Sequence, residues 1–210
     1  MILLHSPIWM IDLLKDKILL INYNIMNTLQ EKKLIFLIED NADFAKVVKT
    51  GLENQPDYTV MHFGTGEEML DYLTKNPTIR PEIFILDYEL ASVIANAKNG
   101  EEILKELVVR YKQKNLLEEL KVIILTGSGD IKIAIKLLKR GATDFILKSE
   151  DDFFESVKDT VRKIFDVKKL KADQKYYKDK AADYKKRLIF VSIALTLAII
   201  GILIYAVVGK

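Results

Sequence analysis

The sequence predicts an α/β domain, a doubly wound parallel sheet covered by helices, and three observations carry that expectation. Five apolar runs of strand length alternate with five segments of helical period between Lys33 and Phe165. Most of the runs are rich in Ile, Leu, Val and Phe, as strands buried on both faces require. Four of them end in polar residues, and chemistry in open parallel sheets gathers at the carboxyl ends of the strands.

In chain order the strand-like runs are Leu34–Ile38, Tyr58–Phe63, Ile83–Leu86, Val122–Leu125 and Asp144–Leu147. Helical segments lie between and after them: Ala42–Asn54, Gly66–Lys75, Glu101–Lys114, Ile131–Arg140, and one starting at Asp152. Thr65 and Glu68 form a capping-box pattern before the second helix, and Gly141 suits the C′ position after the fourth. A five-stranded sheet of this length is expected to take the flavodoxin-like strand order 2-1-3-4-5, with its switch point between the first and third strands.

Composition excludes more than it selects. Half of the 210 residues are apolar, enough for a sizeable core, and 32 Lys and Arg nearly balance 30 Asp and Glu, so no global field favours nucleic acid. With no cysteine, disulfides, thiolate metal sites and cysteine nucleophiles are excluded, and only His5 and His62 offer an imidazole. His62 falls at the end of the edge strand and reads as structural.

The two ends differ. Leu188–Val208 carries no charged residue and is long enough to cross a hydrocarbon core as a helix. The preceding segment, 166–187, holds nine Lys or Arg against four Asp, the bias that keeps a flank cytoplasmic. The expected organisation is therefore an N-terminal extension (1–32), a globular domain (33–165), a basic helical linker (166–187) and a transmembrane helix (188–208), anchored by its tail in the cell membrane with the domain facing the cytoplasm. Met1–Met26 lacks a signal-peptide pattern, and Met26 is the favoured start of translation. In the linker, Val167, Leu170, Tyr177, Ala181, Tyr184 and Leu188 approach heptad spacing. Two readings stay open there, a homodimer stalk and a solvated basic spacer drawn to anionic lipid.

The polar strand ends define the chemistry. In the expected order, Glu39 and Asp40 end the first strand, Asp87 the third, Thr126 the fourth and Lys148 the fifth, all at one sheet edge. Three crowded carboxylates repel one another unless a cation neutralises them, and an all-oxygen cluster suits a hard ion such as Mg²⁺. Asp40 and Asp87 would hold it, with Glu39 reached mostly through water, while Lys148 and Thr126 would meet the other oxygens of an incoming phosphoryl group.

The segments IFLIEDN (35–41), IFILDYE (83–89), VIILTGSGD (122–130) and DFILKS (144–149) resemble the four blocks of response-regulator receiver domains of two-component signalling. The resemblance implies that Asp87 is the phosphoacceptor, that Glu39 and Asp40 are the acidic pair, and that the main-chain carbonyl of Glu89 is a further Mg²⁺ ligand. It implies Thr126 as switch hydroxyl, Lys148 as phosphate-binding lysine, Phe145 as aromatic rotamer switch and Gly100 as a glycine near the start of the third helix. It implies a histidine kinase or phosphotransfer protein as donor, and no enzymatic activity beyond self-phosphotransfer and autodephosphorylation.

Three features depart from the pattern. Ser149 stands where a proline with a cis bond commonly follows the lysine. The loop from Asp87 to Gly100 is longer than usual, and its Leu90, Val93 and Ile94 are placed to cover the site. Gly127 leaves the phosphoryl position open. No second globular domain follows the receiver-like segment, so the expected output is phosphorylation-dependent association with an unidentified partner at the membrane. The alternative is a pseudo-receiver, a docking scaffold indifferent to phosphorylation. A haloacid-dehalogenase-like hydrolase ranks lower because Asp87-Tyr88-Glu89 lies on the third strand, and a flavin module because Asn41–Phe44 is not a phosphate-cradling loop.

Overall fold

Burial on both faces is what the apolar runs dictate, and in the computed structural model they form a five-stranded parallel sheet in the order β2-β1-β3-β4-β5. The structure describes Lys17 and residues 32–90, 98–149 and 151–208. The strands are β1 (Lys33–Ile38), β2 (Tyr58–Phe63), β3 (Ile83–Asp87), β4 (Val122–Thr126) and β5 (Asp144–Leu147). The helices are α1 (Ala42–Glu53), α2 (Gly66–Lys75), α3 (Gly100–Gln113), α4 (Ile131–Lys139) and α5 (Phe153–Val208), with a 3₁₀ turn at Leu117–Glu119. The expected strand order and element sequence are both found. The expectations for Val93 and Ile94, and for the segment before residue 32 apart from Lys17, lie outside the described residues.

β3 and β4 are buried at every residue, which explains why neither shows polar alternation. Phe36, Phe84 and Leu86 share a core cluster with Met69 of α2 and Leu104 of α3. Phe36 lies edge-on to Phe84, with ring centroids 5.7 Å apart.

Local signals set the helix ends. Asn41 caps α1, its side chain accepting from the Phe44 amide at 3.0 Å. Thr65 caps α2 by accepting from the Glu68 amide at 3.1 Å, but the Glu68 carboxylate reaches back to the Gly64 amide and not to Thr65, so that box closes one residue early. The complete capping box is at α3, between Asn99 and Glu102, a pair the sequence reading passed over. Gly141, at φ +109°, ends α4 in a Schellman motif: its N–H donates to Leu138, and that of Ala142 donates to Leu137.

The chain divides into two compact units, Met1–Thr160 and Val161–Lys210. In the second, the expected linker and apolar segment belong to one continuous helix, α5, whose exposed C-terminal part is long and apolar enough to cross a membrane.

Candidate functional site

The parallel register carries the ends of β1, β3, β4 and β5 to one edge. Ile38 pairs with Leu86, Asp87 with Leu125 and Thr126 with Leu147, so Glu39, Asp87, Thr126 and Lys148 all fall at the carboxyl ends of the sheet. Glu39, Asp87 and Thr126 are buried, whereas Asp40 is exposed.

Lys148 lies between the two buried carboxylates. Its Nζ is 2.8 Å from Glu39 Oε2 and 2.8 Å from Asp87 Oδ2. It also stands 4.6 Å from the centre of the Phe44 ring, where a cation meets the negative face of an aromatic. Burial pushes the Glu39 carboxyl above the ordinary carboxylate range; the Lys148 hydrogen bond opposes this and the nearby Asp87 charge adds to it. For Lys148 burial favours the neutral amine, but the bonds to Asp87 and Glu39 outweigh it and hold the ammonium above its usual range.

The other Asp87 oxygen, Oδ1, accepts from the Glu89 amide at 3.1 Å. The Glu89 side chain turns away and accepts from the Gly127 amide at 3.0 Å, strapping the loop after β3 to the loop after β4. Sequence reasoning gave Glu89 only a carbonyl role. The strap leaves no local signature, because residues 38 positions apart make it. Phe44 was missed in the same way: its seat beneath Lys148 follows from where α1 starts, which the Asn41 cap decides.

Thr126 Oγ1 accepts from the Ser128 amide at 3.1 Å, which orients the hydroxyl in a turn. Phe145 is half-buried against the core cluster and pairs with Ile124. Gly100 has a steric reason to be glycine: an added Cβ would run into the Asp87 carbonyl oxygen and lie 2.7 Å from Tyr88 Cα. His62 is exposed on β2, the edge strand, with Nε2 2.7 Å from the Glu39 carbonyl oxygen, a structural contact. All described peptide bonds are trans, including the one joining Lys148 to Ser149. Leu90 is partly buried against the core cluster.

Glu39, Asp40 and Asp87 each offer an oxygen, and these atoms lie within 4.8 Å of one another. Hard, anionic and oxygen-only, this donor set fits a small divalent cation of the Mg²⁺ type.

A family model described as the response regulator receiver domain matches residues 35–172. The transcriptional regulatory protein DegU of Brevibacillus brevis is 28% identical over 123 residues, covering 58% of this chain and 46% of DegU. The chain thus spans less than half the length of that curated relative. The signal receiver domain of a LuxO repressor protein from Vibrio parahaemolyticus aligns with TM-score 0.53 and 25% identity over 67% of this chain and 95% of that one. The phosphorylated cyanobacterial phytochrome response regulator RcpA aligns with TM-score 0.51 and 25% identity over 61% and 90%.

Proposed function

The chain belongs to the response regulator receiver domain family, and we propose that it is a membrane-anchored phosphoacceptor switch in which Asp87 takes a phosphoryl group from a histidine kinase or phosphotransfer protein. The observation that carries this reading is the placement of Asp87: buried at the end of β3, with Lys148 Nζ 2.8 Å away and two further carboxylates within metal-ligand reach. A phosphorylated relative of the same fold, RcpA, supports it.

In the transfer, one carboxylate oxygen of Asp87 bonds to phosphorus while the donor's bond to that phosphorus breaks, and the donor leaves with the electron pair. Asp40 and Asp87, the Glu89 carbonyl, and Glu39 through water would hold Mg²⁺, which when bound neutralises charge on the phosphoryl oxygens. The Glu89 N–H fixes one oxygen of Asp87, so the carboxylate presents a single orientation. Lys148 leaves Asp87 for a phosphoryl oxygen, trading one ion pair for another of similar strength. The Thr126 hydroxyl donates to a second phosphoryl oxygen, and Phe145 turns inward into the space this clears. The changed surface alters association with an output partner. The exposed apolar part of α5 serves as anchor, with the Lys- and Arg-rich segment before it on the cytoplasmic side.

Incubation of the protein with acetyl phosphate and Mg²⁺, followed by intact-mass measurement, tests the reading. One phosphoryl group is gained by the native chain and none by Asp87→Asn. An unmodified native chain would instead favour the phosphorylation-independent docking scaffold.

A further inference from the structure

Within the unit Val161–Lys210, helix α5 carries a stripe of exposed apolar residues. Leu170 and Tyr177 are 67% and 64% exposed, and with Gln174 between them, Val167, Leu170, Tyr177, Ala181, Tyr184 and Leu188 fall at alternating steps of three and four residues on one side of α5. The phase does not break where the apolar segment begins. Val191, Leu195, Ala198 and Ile202 carry the same repeat onward.

A seven-residue repeat of this length winds helices around one another, and the flanking charges decide which partner fits. In a parallel, in-register pair, Asp166 of one helix faces Lys171 of the other and Asp173 faces Lys178, matched pairs in two successive heptads. The third heptad sets Lys180 against Lys185. An antiparallel pair would instead bring Lys171, Lys178 and Lys185 against one another along one flank. It would also leave the apolar repeat from Val191 to Ile202 without an opposing seam. Gln174 takes an inner position, where a single polar residue fixes register at some cost in stability.

We propose that this stripe is covered by a second copy of the same chain, in a parallel two-stranded coiled coil that begins near Val167 and continues without a phase break into the apolar segment. This does not depend on Asp87 accepting phosphate.

The absence of cysteine makes the test clean, since any introduced thiol is the only one present. Single cysteines at residues 170–179 of the full chain in detergent micelles, oxidised with copper phenanthroline, report which positions face their own copy. Disulfide dimer should be several-fold more abundant for Leu170→Cys, Gln174→Cys and Tyr177→Cys than for Ala172→Cys, Lys175→Cys and Asp179→Cys. Equal yields all round the helix, or yield confined to one midpoint as an antiparallel pair would give, overturn the proposal. A second arm reverses charges in the Leu170→Cys background. Lys171→Asp with Lys178→Asp, and separately Asp166→Lys with Asp173→Lys, each lower the dimer yield several-fold, and co-expression of the two restores it as heterodimer. Failure of co-expression to restore the yield also overturns it.

Discussion

Lys148 Nζ stands 2.8 Å from Asp87 Oδ2, so the cation proposed to meet a phosphoryl group is already engaged by the carboxylate proposed to carry it. Glu39 shares the same ammonium at 2.8 Å. In this state Lys148 offsets repulsion between two buried carboxylates, a part that a divalent ion also plays. On the proposed reading, ammonium and metal would compete for one cluster of negative charge.

Lys148→Ala follows from that competition. Without Mg²⁺ it should cost about 2 kcal/mol of stability, less than a fully buried pair because the side chain is 18% exposed. Mg²⁺ should restore much of the loss, and its affinity should rise roughly tenfold once the competing charge is gone. Chemical denaturation with and without Mg²⁺, beside calorimetric titration, measures both.

Glu39→Gln keeps the shape of the side chain and removes its charge. A residue that orients a metal site through water commonly changes affinity by about 10–100-fold, so Mg²⁺ binding should weaken by that order. Asp40→Asn, which removes the charge of a proposed direct ligand, should weaken it at least as much in the same titration.

Much of this was legible in the sequence, and for a physical reason. Strands buried on both faces leave unbroken apolar runs, and polar residues at their ends stand out against that background, as Asp87 does after IFIL and Thr126 after VIIL. The partners that hold those residues were harder to see. The Glu89 strap to Gly127 joins loops distant in sequence, and Phe44 reaches Lys148 only because Asn41 starts α1 where it does. The Asn99–Glu102 box was in plain view but follows a stretch of sequence with no clear periodicity. Gly100 matched a pattern, and the structure supplies the cause, contact with the Asp87 and Tyr88 backbone.

Gly100→Ala should therefore destabilise the fold by about 1–3 kcal/mol, since the added methyl meets backbone atoms that cannot swing aside. Thermal unfolding measures the loss. Gly129→Ala serves as control, because its added Cβ meets nothing within 4 Å.

Tyr111 gives an alkaline signature. Burial pushes its phenol from 10.0 up to about 12, so the unfolded chain loses this proton before the folded one does. Its contribution is fully present below pH 10 and is lost as pH rises toward about 12, a fall on the order of 2 kcal/mol. Denaturation midpoints across that range should drop less steeply for Tyr111→Phe than for the native chain.

Asp87, and no other residue, is proposed to receive the phosphoryl group. An acyl phosphate is reduced by borohydride to the alcohol, so a phosphorylated aspartate becomes homoserine. After treatment with acetyl phosphate and Mg²⁺, reduction and proteolysis, tandem mass spectrometry should find homoserine at position 87 and aspartate at position 40. Homoserine at position 40, or unreduced aspartate at 87 in a protein that has gained the mass of a phosphoryl group, would contradict it.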